Sequence, residues 1–156
     1  MSKLKLLYRL FFSIIMVVSC NTKQNYDDVS ANLKKIDKKD NSYLSKYYVV
    51  IPNQGCEGCI SYTEAFVREN YNKYQNLKFI FTRMNSIKLV LVRVGLNALR
   101  SNKIILDTLN IFTYPEDNNN IYPAIITTDT KKVINIEYQS PQNEGIEHLL
   151  SKLNKR

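Results

Sequence analysis

The stretch Gln54-Gly55-Cys56-Glu57-Gly58-Cys59 constrains this chain more than any other. It lies between the apolar run Tyr47-Tyr48-Val49-Val50-Ile51 and a helix-like segment that begins at Ile60. Two cysteines with two residues between them, set where a strand hands over to a helix, can close a reversible disulfide.

A chain of 156 residues, 44% hydrophobic and 23% charged, has the size and composition of one globular domain. Its first residues stand apart from that domain. Lys3, Lys5 and Arg9 form a positive n-region, and Leu10-Phe11-Phe12-Ser13-Ile14-Ile15-Met16-Val17-Val18 is a short apolar h-region. The run is shorter than the roughly 20 apolar residues a membrane span needs, so residues 1–19 are expected to be an export signal peptide. Val17-Val18-Ser19-Cys20 resembles the lipobox of bacterial lipoproteins. The resemblance implies that Cys20 is the lipidated first residue of the mature chain. The protein is then expected outside the cytoplasm, anchored to a bacterial membrane and facing the periplasm or the cell exterior.

An exported protein meets an oxidising compartment, and a lipidated Cys20 carries no free thiol. That leaves Cys56 and Cys59 as the reactive pair. The chain has 22 basic and 14 acidic residues, and loss of Lys3, Lys5 and Arg9 with the signal leaves 19 against 14. The excess suits an anionic membrane surface, but it is dispersed along the sequence with no compact basic patch, which speaks against nucleic-acid binding.

Residues 20–45 are polar and charged, and are expected to form a lipidated tether ahead of a domain at 46–156. Within the tether, Val29, Leu33 and Ile36 would make at most a weak apolar stripe on a short helix. Residues 46–51 suit a buried strand ended by Pro52-Asn53. From Ile60 to about Asn76 the larger apolar groups fall near one helix face, and residues 77–82 form a second strand. The helix between them implies a parallel βαβ unit with the cysteines at the carboxyl end of its first strand, where open α/β sheets usually carry their sites.

Residues 86–101 have strand-like composition, yet a helix capped near Asn85 or Ser86 fits the α/β alternation. A strand over 103–107, a loop over 114–120, a hairpin of 124–128 and 133–138 turning at 129–132, and a closing helix over 143–153 complete the pattern.

In this order the chain resembles the thioredoxin fold: α/β, three-layered, with a central mixed sheet flanked by helices. Within that fold it is similar to exported, membrane-anchored thiol-disulfide oxidoreductases. The resemblance rests on Cys56-Glu57-Gly58-Cys59 at a helix N-terminus and on Tyr122-Pro123 immediately before the first hairpin strand, and it covers residues 46–153. It implies a cis bond before Pro123, with the backbone of Tyr122 turned toward an incoming peptide. It also implies catalysis by Cys56 and Cys59, substrate contacts from Gly55, Tyr122 and Pro123, no bound cofactor, and protein thiols or disulfides as partners of a monomer. Cys56 would be the nucleophile, because the helix N-terminus stabilises a thiolate, and Cys59 one turn on would resolve the mixed disulfide.

The chain departs from the family pattern in several places. Gly55 stands where thioredoxins often carry tryptophan, the strand 47–51 holds no acid, Glu64 is offset from the buried acid of exported relatives, and Glu57 opposes the helix N-terminus beside the thiol. Two other readings compete. A metal site using His148 lacks ligands, since closed zinc sites take four. A non-catalytic binding module would keep Cys56–Cys59 as a structural disulfide and use Tyr47, Tyr48, Tyr62 and Tyr122 as a peptide surface.

Overall fold

The computed structural model describes residues 21–37, 45–114, 119–129 and 131–155. Residues 1–19, Cys20, part of the tether expected over 20–45, the core of the 114–120 loop and Thr130 lie outside the described residues.

Strand β1 (Tyr47–Pro52) is buried along its whole length, as its uninterrupted apolar composition requires of a central strand. It pairs in parallel with β2 (Leu77–Thr82) through helix α2 (Glu57–Asn70), and antiparallel with β4 (Ala124–Thr128). Beyond β2, helix α3 (Ile87–Val94) and a short helix α4 (Leu96–Leu99) lead to the parallel edge strand β3 (Ile104–Leu106). On the other side β5 (Val133–Ser140) forms the hairpin with β4, and the two-residue β6 (Asn143–Glu144) precedes helix α5 (Gly145–Asn154). The result is an α/β protein with a six-stranded mixed sheet in the order β3-β2-β1-β4-β5-β6.

The period of two along the strands divides the core between two faces. Tyr47, Val49 and Ile51 of β1 join Phe79 and Phe81 of β2 on one face, beneath Ile60, Phe66 and Val67 of α2, Val90 and Val94 of α3, and Ile146 and Leu149 of α5. Tyr48, Val50 and Ile80 point the other way, toward Phe112 and Tyr114 and toward Val29 and Leu33 of a further helix, α1 (Asn21–Ile36).

That helix corrects the reading of residues 20–45 as a weakly packed tether. The stripe of Val29, Leu33 and Ile36 is real, and three anchors suffice because they pack on an apolar face of the sheet shared with Phe112 and Tyr114: Val29 is 1% and Leu33 0% exposed. Polar contacts fix the docking. Ser30 Oγ accepts the N–H of Val133 at 2.8 Å, and Asp37, just past the helix end, receives Lys78 Nζ of β2 at 2.5 and 2.6 Å and Tyr48 Oη of β1 at 2.7 Å. The packed body therefore starts well before residue 46.

Residues 86–101 are helical as expected, divided at Gly95, whose φ of +90° ends α3. Helix α2 differs from its expected limits at both ends. It begins at Glu57, so Cys59 sits inside its first turn, and it stops at Asn70 rather than near 76. The asparagines at 70, 72 and 76 are poor helix formers, and the Asn70 side chain bonds back to the carbonyl of Phe66 at 2.9 Å.

Candidate functional site

The parallel pairing of β1 with β2 leaves a short connection over the carboxyl end of β1, and the cysteine motif occupies it. Cys56 is the residue before α2, with extended backbone (φ −68°, ψ 98°), and its carbonyl accepts the N–H of Ile60 at 2.9 Å as the first helical bond. Cys59 follows inside the helix, where the Thr63 hydroxyl bonds its carbonyl at 2.8 Å. The two form a disulfide across a Cα–Cα span of 5.3 Å, within the usual range. Their exposure is unequal: Cys56 is partly exposed, whereas Cys59 is 8% exposed beneath the first turn. A thiol approaching from solvent meets Cys56 first.

The loop before β4 closes over the same place. The Cys56 N–H donates to the carbonyl of Ile121 at 3.0 Å, and the Tyr122 N–H turns back to the carbonyl of Asn119 at 2.9 Å. Gly55 makes this approach possible. It has a φ of +146°, and a Cβ there would lie 2.1 Å from the Ile121 oxygen. Sequence reasoning placed Gly55 and the segment before Pro123 at the site, and the structure brings them together. It missed the contact residue itself: Ile121, 43% exposed, is the neighbour whose backbone meets Cys56. Its place two residues ahead of Pro123, after a run of asparagines, is the signal that could have found it.

The expected cis bond before Pro123 is corrected. No peptide bond among the described residues is cis, so Tyr122–Pro123 is trans. A trans X-Pro bond is favoured by about 0.5–1 kcal/mol, and the turn from Asn119 to Tyr122 already brings the loop to Cys56 without a reversal at the proline. Pro123 is buried and Tyr122 half-buried, and the carbonyl of Pro123 receives the Gln139 N–H at 2.9 Å, which joins the loop to β5.

Arg83, which no sequence pattern singles out, completes the surroundings. It follows β2 in the left-handed region, at φ +54°, and its Nη1 donates to the carbonyl of Asn120 at 3.0 Å while its guanidinium lies 5.0 Å from the centre of the Tyr114 ring. Burial pushes the Tyr114 phenol well above its ordinary range, with Arg83 acting in the opposite direction. The Tyr114 hydroxyl bonds the Val50 carbonyl of β1 at 3.2 Å.

Other candidate residues lie in different settings. Glu64 is buried in α2 and paired with Arg93 Nη1 of α3 at 3.3 Å; burial raises its carboxyl above the ordinary 4.5 and Arg93 offsets part of that. Tyr47 and Tyr48 are core residues on opposite faces of the sheet, and the exposed Tyr62 bonds Glu147, so these three do not make one peptide surface. His148 Nδ1 lies 3.1 Å from Glu137, and among the described residues no three His, Cys, Asp or Glu side chains group as metal ligands. No described helix is long and apolar enough to cross a membrane.

No protein-family model, no curated protein and no solved structure matches the chain at a significant level. The arrangement is a disulfide-bonded cysteine pair at a strand-to-helix junction, with Cys56 partly exposed and Cys59 buried.

Proposed function

We propose that this chain is an exported, lipid-anchored thiol-disulfide oxidoreductase of the thioredoxin-like kind, exchanging disulfides with protein substrates through Cys56 and Cys59. The observation that carries the reading is the unequal exposure of two bonded cysteines at the start of a fourteen-residue helix. In the oxidised protein a substrate thiolate attacks Sγ of Cys56, the Cys56–Cys59 bond breaks, and Cys59 leaves as a thiolate that takes a proton from solvent. A second substrate thiolate then attacks the mixed disulfide at the substrate sulfur and releases Cys56. The substrate loses two electrons and gains a disulfide, while the protein becomes a dithiol; a disulfide-bearing substrate runs the same steps in reverse.

The thioredoxin-like assignment is supported by the β2-β1-β4-β5 portion of the sheet, parallel then antiparallel, with a proline at the entrance to β4. Export and lipidation are supported by the residues before Asn21, Cys20 above all. With α1 packed into the fold, a lipid on Cys20 would hold the domain close to its membrane rather than on a long leash.

Replacing Cys59 by serine tests the exchange reading. The C59S protein should accumulate mixed disulfides through Cys56, and the wild type should catalyse reduction of insulin by a dithiol. If no partner is trapped and insulin is untouched, the pair is structural and the domain is a binding module. A pair that exchanges should also equilibrate within the glutathione range, which a structural disulfide resists.

A further inference from the structure

We propose that Arg83 is a positioning residue for Cys56, holding the loop over 119–122 against the thiol and bringing a permanent positive charge to it. The inference rests on the thiol-disulfide reading and adds a residue from outside the cysteine motif.

Three observations carry it. The first is an unbroken series of contacts from the core of the sheet to the nucleophile. The Val50 carbonyl receives the Tyr114 hydroxyl at 3.2 Å, the Tyr114 ring carries the Arg83 guanidinium at 5.0 Å, and Arg83 Nη1 holds the Asn120 carbonyl at 3.0 Å. The next residue, Ile121, accepts the Cys56 N–H at 3.0 Å. Every link but the last is made by side chains that a substitution can remove singly.

The second is backbone conformation. Arg83 holds φ +54°, which disfavours any residue with a Cβ, and Arg lacks the short side chain that lets Asn or Asp settle there. Glycine at this position would relieve the backbone. An arginine kept where glycine is more comfortable points to a role for the side chain.

The third is charge. Glu57 follows Cys56 directly and is exposed, so the acidic neighbour of the thiol comes from its own helix. Among the described residues of the facing loops, the Arg83 guanidinium lies beside the phenol of Tyr114 and on the Asn120 carbonyl, one residue from the acceptor of the Cys56 N–H. A guanidinium stays charged at every pH at which a thiol ionises, and a cation held near Cys56 favours the thiolate.

The test compares wild type with Arg83→Lys, Arg83→Met and Arg83→Gly in the full chain, reduced and then alkylated with iodoacetamide across a pH series. Labelling is read by mass on the peptide that contains Cys56. The midpoint for Cys56 should rise by roughly half a pH unit in R83M and R83G, the size of one charge acting through partly solvated surroundings, and R83K should return part of it. Thermal unfolding run alongside should find R83G at least as stable as R83M, because its backbone strain is gone. A Cys56 midpoint that stays put in R83M and R83G, whatever happens to the melting temperature, overturns the proposal. Insulin turnover by the wild type decides the exchange reading separately, since alkylation reports on Arg83 whether or not the protein exchanges disulfides.

Discussion

The backbone N–H of Cys56 donates to the carbonyl of Ile121 at 3.0 Å, joining the start of α2 to a loop sixty-five residues further along the chain. The bond lies between the residue that opens the cysteine helix and the residue two before the entrance to β4. It makes the site a junction of two loops. The backbone of Cys56 is thus tied to the loop before β4 as well as to its own helix.

Gly55 is the residue that permits this junction, and Gly55→Ala should break it. An alanine Cβ would fall 2.1 Å from the Ile121 oxygen and 2.8 Å from its carbonyl carbon, both backbone atoms that cannot swing aside. The loop over 119–122 must retreat or the turn at 53–55 must rearrange. The expected cost is roughly 2–4 kcal/mol in urea denaturation, with altered amide shifts at Cys56 and Ile121 by NMR. An alanine variant of wild-type stability with unchanged shifts at both residues would count against the close approach.

Helix α1 is an integral layer, and Leu33→Ala measures how much it contributes. Leu33 is fully buried in the core cluster that also holds Tyr48, Val50 and Ile126, so truncation should cost about 2–5 kcal/mol in a single cooperative transition. The natural control is Val92→Ala in α3. Val92 is 82% exposed, and alanine is the better helix former, so its change should stay within about 0.5 kcal/mol. If L33A matched V92A in urea denaturation, residues 21–36 would be a loosely attached arm.

The contacts that seat α1 are also coupled. Asp37 holds Lys78 and Tyr48 together, with side-chain exposures of 7% for Asp37 and 16% for Lys78. Burial first, and the bond to Asp37 second, push the Tyr48 phenol upward. Removing the carboxylate alone leaves a largely buried ammonium without its partner. Asp37→Ala should therefore cost about 3–5 kcal/mol, and the double variant Asp37→Ala with Lys78→Met should recover part of the loss. A double-mutant cycle by urea denaturation gives the coupling, and strictly additive effects would show that the pair is not energetically linked.

What the sequence made legible follows from the range of the forces involved. The strands at Tyr47–Pro52 and Leu77–Thr82 and the hairpin of Ala124–Thr128 with Val133–Ser140 announce themselves by apolar runs and turn residues, and they stand where those signals put them. The ambiguous run at 87–94 resolves as helix because Val90 and Val94 meet the core at a helical interval, leaving Val92 outside. Helix α1 was underrated because three apolar residues look insufficient until the open face of the sheet that receives them is known. Arg83 could not be found in advance, since neither its positive φ nor its reach to Asn120 leaves a trace in composition or period. The trans bond before Pro123 was misjudged for a related reason: an expectation carried by family resemblance met a loop that approaches Cys56 through Ile121.

Glu64 supplies a dependence on pH whose sign is fixed by its surroundings. Burial raises its carboxyl above the ordinary 4.5, and the ion pair with Arg93 offsets the rise without cancelling it. The native state therefore binds this proton more tightly than the unfolded chain does. Stability credited to Glu64 is complete below 4.5 and declines as pH rises from there through the raised value. Glu64→Gln keeps the shape, removes the titration, and should flatten the fall in stability over that window. Arg93→Met takes away the offsetting charge, so the same fall should begin at the same pH and run to a higher one. Urea unfolding of the three proteins at intervals from pH 4 to pH 8 reads both effects. A wild type that gains stability through this window relative to Glu64→Gln would mean that Arg93 dominates and that the buried carboxylate is stabilised in its charged form.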